Sequence, residues 1–144
     1  MVAALLLKDR FDEIVLLERQ PKAKFLEKNG FTFPIVFSPA AIKVLERVRA
    51  WEPICSERSE YFGVVVHKRL LGKERLFRAE KRDVYSHWRN HIIECLYARI
   101  EEEGIKVHFE SELVDIDFAG QVCHERSLGK LPFDLLLGAD GMKS

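Results

Sequence analysis

Two carboxylates stand where this chain could hold a ligand. Asp140 lies in Gly138-Ala139-Asp140-Gly141, directly after the apolar run Leu135–Leu137. The run reads as a buried strand, and the small residues after it let the backbone approach a bound group closely. A carboxylate at the carboxyl end of a buried parallel strand lies where open α/β sheets bind ligands. Glu18 repeats the pattern at the other end of the chain, after the apolar run Ile14–Leu17 and before Arg19. An acid there is suited to accept hydrogen bonds from ribose hydroxyls.

Other chemistry-bearing residues make weaker patterns. His87 and His91 are spaced like two zinc ligands on one helix. A metalloprotease needs His-Glu-x-x-His, and Trp88 takes the second place, so two partly exposed helix histidines are the simpler reading. His67, His108 and His124 stand alone, with no nucleophile motif beside them. Three cysteines, Cys55, Cys95 and Cys123, share no short spacing. That argues against a disulfide framework or zinc knuckle and for buried free thiols in a reducing, intracellular compartment.

The elements that must position the two acids follow from periodicity. Val2–Leu7 reads as the end of a helix, and Ile14–Leu17 as a strand buried on both faces of a parallel sheet. Helix, short turn, strand and terminal acid make the second half of a βαβ dinucleotide-binding unit. Residues 20–32 read as loop. Ser38 and Pro39 open a helix with the stripe Ala41, Ile42, Leu45 and Val48, ending near Trp51-Glu52-Pro53. Residues 61–67 and 75–80 are two strands of an antiparallel pair, joined by Leu71-Gly72-Lys73. Residues 83–103 make the longest helix, with Val84, Trp88, Ile92, Leu96 and Ile100 at i+4 spacing and Gly104 as its stop. Residues 105–110 and 113–118 are strands, and residues 121–131 are a short connection. Trp51 and Trp88 read as core. Glu101-Glu102-Glu103 reads as a solvated helix end with no structural purpose, since acids are unfavourable there.

Composition bounds the class. With 144 residues, 47% apolar and 32% charged, the chain fits one soluble globular domain. Zero formal net charge gives no electrostatic reason for a nucleic-acid partner. Lys68-Arg69 and Lys81-Arg82 read as solvated strand ends. No apolar run approaches the roughly 20 residues of a membrane helix.

Asp134 to Ser144 resembles the Asp-Leu-Leu-Ile-Gly-Ala-Asp-Gly-x-x-Ser signature of FAD-dependent aromatic-ring monooxygenases, the group that includes p-hydroxybenzoate hydroxylase and kynurenine 3-monooxygenase. The stretch from Phe37 to Ile54 is similar to that family's Ser-Pro-x-Ala helix. Arg89 opens Arg-x-x-Ile-x-x-x-Leu, similar to the family's Arg-x-x-Leu-x-x-x-Leu.

The resemblance implies an α/β fold: an FAD-binding, Rossmann-like parallel sheet with a small antiparallel β appendage. It implies that Asp140 binds the ribityl chain with Gly138 and Gly141 beside it. Glu18 and Arg19 would hold the adenosine ribose, and Arg89 would lie near the flavin. It further implies NAD(P)H as reductant and a small, aromatic substrate, with no catalytic residue among those present. Flavin halogenases and prenyl reductases share the motif order. An NAD-binding dehydrogenase half fits Glu18 but not Gly-Ala-Asp-Gly.

No Gly-x-Gly-x-x-Gly occurs in the chain. Val2–Leu7 resembles the segment that follows that turn in the family. Residues 1–144 are therefore read as one partial FAD-binding domain, lacking the first strand, the Gly-rich turn and the carboxyl-terminal substrate region. Such a fragment could pair with the missing portion of its parent, or be a non-catalytic remnant or truncated gene model.

Overall fold

Ser38 shows how local chemistry sets the elements. In the computed structural model of the chain its Oγ accepts the Ala41 N–H at 3.2 Å, and Pro39 occupies the first helical turn. The structure describes residues 1–27, 34–61, 65–70, 73–78, 84–139 and 141. Its helices are α1 (Val2–Leu7), α2 (Lys22–Phe25), α3 (Pro39–Arg47), α4 (Trp51–Cys55) and α5 (Arg89–Glu102). The first strands are β1 (Val15–Glu18), β2 (Pro34–Val36), β3 (Arg58–Tyr61), β4 (Val65–Leu70) and β5 (Lys73–Arg78). The remainder are β6 (Val84–Trp88), β7 (Lys106–Phe109), β8 (Leu113–Asp117), β9 (Val122–Glu125) and β10 (Gly129–Pro132). They fall into two compact units, residues 1–14 with 26–105, and residues 15–25 with 106–144.

The first unit is built around α5. Ile92, Leu96, Tyr97 and Ile100 bury one face of it, at the spacing read from the sequence. The helix ends in a Schellman motif. Gly104 takes a left-handed φ of 68°, its N–H donates to Glu101 O at 3.0 Å, and the Ile105 N–H to Ile100 O at 3.1 Å. Helix α1 packs on α5 through Ala4 and Leu5. Lys8 Nζ donates to Glu103 Oε2 at 2.5 Å, and Arg99 pairs with both Glu102 and Glu103. The acidic helix end therefore has a structural purpose, contrary to the sequence reading: basic side chains neutralise it and tie α1 down.

Two helix boundaries differ from expectation. Helix α3 stops at Arg47, Arg49 turns left-handed at φ 57°, and α4 starts afresh at Trp51. Pro53 lies in the first turn of α4, where a missing N–H costs nothing, so it starts a helix rather than ending one. Val84 to Trp88 is a strand, not the first turns of the long helix. Strand β6 pairs antiparallel with β2 on one side and β3 on the other. Val, Tyr and Trp favour a pleated surface, and two ladders satisfy this backbone on both edges. Trp88 is 51% exposed rather than core. Strands β4 and β5 form the expected antiparallel pair with shifted bounds: Tyr61 belongs to β3 and pairs with β6, and Lys73 opens β5; residues 62–64, 71, 72 and 79–83, with Lys81-Arg82, lie outside the described residues.

In the second unit β1 runs parallel to β7, with Glu18 opposite Phe109. Val15 is 39% exposed, so β1 is not buried on both faces. Part of the expected loop is helical. Pro21 O accepts the N–H groups of Lys24 and Phe25, both at 3.0 Å, and the Phe25 ring lies 5.6 Å from Phe109. Strands β8, β9 and β10 form a complete antiparallel meander. This corrects the reading of residues 121–131 as a connection. Two positive-φ residues, Gln121 and Gly129, give the turns their geometry, and Asp117 Oδ1 accepts the Gly120 N–H at 2.9 Å. Leu135–Leu137 is not a buried strand. Leu135 and Leu137 are 48% and 55% exposed, and the run has no ladder partner among the described residues. Apolar sequence alone cannot make a strand without a neighbouring ladder.

Candidate functional site

Strand β1 delivers Glu18 to its carboxyl end and the chain bends there. Glu18 O accepts the Ser111 N–H at 3.0 Å, and Gln20 O accepts the Glu110 N–H at 3.2 Å. The Glu18 side chain turns back to its own backbone, Oε1 accepting the Gln20 N–H at 2.7 Å. Among the described residues Oε2 has no bonded partner. Glu18 is half-buried as a residue and Arg19 is exposed. A pre-oriented carboxylate with one oxygen open suits a vicinal diol, which donates from adjacent hydroxyls. The residues present therefore fit a ribose.

Gly138 and Gly141 belong to the same unit and are exposed. Gly141 has a φ of 86°, a conformation that a side chain would strain. Asp140 and Ser144 lie outside the described residues.

Arg89 belongs to the other unit, as the first residue of α5. It is exposed. The residues after it fix the first turn. Asn90 Nδ2 donates to Glu27 O at 2.8 Å, and His91 Nε2 lies 3.1 Å from Pro53 O.

The two histidines do not share a helix face. His87 is on β6, 1% exposed, with Nδ1 3.2 Å from Ile54 O. Its ring lies 5.5 Å from Phe37 and 5.3 Å from Trp51. His91 is on α5, so the strand before it removes the apparent zinc spacing. Among the described residues no group of three potential ligands could hold a metal.

The sequence reading missed a line of three polar residues. His91 Nδ1 lies 3.5 Å from Glu57 Oε2, and Cys95 Sγ lies 3.6 Å from His91 Nε2. The i, i+4 spacing of His91 and Cys95 was the available signal. Burial, then the charges of Glu94 and Glu57, push the Cys95 thiol above its ordinary range. A thiol held protonated is a poor nucleophile. Cys95 and Cys55 are only half-buried, and of the three thiols only Cys123 is buried as expected.

No family model matches the chain, and no curated protein matches it. Solved structures do. The tetrameric form of 2-methyl-3-hydroxypyridine-5-carboxylic acid oxygenase superposes with a TM-score of 0.74 at 21% identity, over 97% of this chain and 36% of that one. FqzB gives 0.71 at 18% identity, over 90% and 30%. CtdE in complex with FAD gives 0.62 at 16% identity, over 90% and 32%. The chain has the fold of these proteins across 30–36% of their length. An oxygenase of a pyridine acid and a protein solved with FAD are neighbours of the kind that the resemblance implies, and the expectation stands at the level of fold.

Proposed function

We propose that residues 1–144 are the FAD-binding part of a longer flavin-dependent monooxygenase. The observation that carries this is Glu18, a carboxylate with one open oxygen at the carboxyl end of a parallel strand, in a fold shared with a protein solved with FAD. Glu18 and Arg19 hold the adenosine ribose. Asp140, with Gly138 and Gly141 beside it, takes the ribityl chain. Arg89 lies beside the flavin. When bound, FAD reduced by NAD(P)H supplies the oxygen-transfer chemistry for a small aromatic substrate. This chain's own residues bind and orient.

The test is a titration of the purified chain with FAD, followed by flavin fluorescence and absorbance. Saturable binding supports the reading. A folded chain that leaves FAD fluorescence unchanged favours the non-catalytic alternative, and a chain extended upstream by a strand and Gly-rich turn that also stays colourless overturns the reading.

A further inference from the structure

We propose that Glu125 is a positioning residue for the Glu18 carboxylate, acting through Ser111 on the backbone corner that holds the end of β1; as part of a ribose site this role rests on the function proposed above. The corner is the segment that leaves β7. Glu18 and Phe109 lie opposite each other in the parallel ladder. Glu110 then turns left-handed at φ 56°, a conformation that a residue with a side chain keeps only where its surroundings hold it. The Glu110 N–H donates to Gln20 O at 3.2 Å and the Ser111 N–H to Glu18 O at 3.0 Å, so the backbone is fixed on either side of Arg19. The same turn carries the Gln20 N–H that donates to Glu18 Oε1 at 2.7 Å.

A buried carboxylate holds this corner from behind. Glu125 and Ser111 are 2% and 4% exposed. The Ser111 hydroxyl donates to Glu125, and the Glu112 N–H donates to its Oε1 at 2.9 Å. Its Oε2 accepts the Ser127 N–H at 2.7 Å and the Leu128 N–H, and the Ser127 hydroxyl lies within 3.1 Å of both oxygens. A carboxylate has roughly four acceptor sites, so these donors leave none for an outside ligand. The two acids therefore differ in kind. Glu18 keeps one oxygen open, Glu125 has both taken, and a single residue, Ser111, bonds to each of them. Cutting that path leaves buried polar groups unpaired, so the corner shifts and takes the Glu18 turn with it.

The test is amide hydrogen exchange, with ADP as the probe of the adenosine half. S111A cuts the path and leaves Glu18 and the β8–β10 ladder in place. The Gln20 and Glu110 amides are expected to exchange at least about tenfold faster in S111A and in E125Q, while the β9 ladder keeps its protection in S111A. S111A is expected to weaken ADP binding about three- to tenfold, and to add less than about twofold when E18A is already present, because it acts only through Glu18. In the unmodified chain, the Gln20, Glu110, Glu112 and Leu128 amides are expected to open as one unit, a measurement that needs no variant to fold.

Unchanged exchange at Gln20 in folded S111A overturns this role. So does a loss of protection spread evenly over the β8–β10 meander, which marks a merely structural part. Additive losses of ADP affinity in S111A and E18A, or separate opening of the four amides in the parent, overturn it too. The two readings fail separately. Faster exchange at Gln20 in S111A, with neither ADP nor FAD bound by the parent, tells against the flavoprotein reading alone. Saturable ADP or FAD binding that S111A leaves unchanged removes only the positioning role.

Discussion

The Glu125 carboxylate accepts the backbone N–H of Glu112 at 2.9 Å, joining the end of β9 to the segment that leads into β8. Glu125 is 2% exposed and also accepts the Ser127 N–H at 2.7 Å and the Leu128 N–H. Burial alone raises its pKa, but the N–H groups of Leu128 and Ser127, with the hydroxyls of Ser127 and Ser111, outweigh it and lower the value to about 2. A depressed folded-state pKa stabilises the fold above the unfolded value. That contribution falls away between the ordinary 4.5 and about 2. E125Q is expected to be less stable than the parent at neutral pH, with a shallower loss of stability across that acid window. Parallel acid profiles for parent and variant, measured by denaturant unfolding, would contradict this.

Ile100 is 0% exposed on α5, as is Ile54 on α4. Truncating such a side chain removes its transfer energy and leaves a cavity. Ile100→Ala is expected to cost about 2–5 kcal/mol, and Ile100→Val about 0.5–1.5 kcal/mol. Chemical denaturation of both variants measures this. Equal effects of the two would mean that the site collapses around the loss.

The sequence made α1, the start of α3, the buried stripe of α5 and the β4–β5 pair legible, because each has a local cause. Ser38 caps with its own side chain, and Ile92, Leu96 and Ile100 repeat with the helical period. It misled where tertiary pairing decides. Val84 and Trp88 extend the i+4 stripe, yet their backbone is taken by two flanking strands. Leu135–Leu137 has the composition of a buried strand but no ladder among the described residues. Of the candidate site, Glu18 is at the strand end where the pattern placed it, whereas Arg89, read as lying inside a helix over 83–103, is the first residue of α5. The burial of His87 depends on β6 packing against Phe37 and α4, and the Glu57–His91 contact on the end of α4 meeting α5; no local pattern encodes either, while the His91–Cys95 spacing is local.

Cys95 offers a test of that meeting. Burial and two nearby carboxylates, Glu94 and Glu57, hold its thiol above the usual range. Its alkylation by iodoacetamide is expected to lag that of a small free thiol at pH 8, and to rise with pH along a profile displaced upward. E57Q removes one of the two charges and is expected to shift the profile down. Mass spectrometry of the Cys95 peptide reads the rate. A profile matching the free thiol in the parent protein would show that neither burial nor Glu57 acts on it.

The role proposed for Glu18 separates the two halves of the cofactor. Its open oxygen faces no protein donor among the described residues, and a ribose hydroxyl would supply one. Hydrogen bonds to a charged group are stronger than neutral ones, so E18A is expected to weaken FAD binding roughly ten- to hundredfold. FMN has the ribityl chain and isoalloxazine ring but no adenosine. The same substitution is therefore expected to leave FMN affinity unchanged, and ADP to compete with FAD only in the parent chain. A uniform loss for FAD and FMN in E18A would mean that Glu18 acts by holding the turn through the Gln20 N–H, not by meeting the ribose. Circular dichroism distinguishes that case from unfolding, since a lost turn leaves the helices α1, α3 and α5 intact.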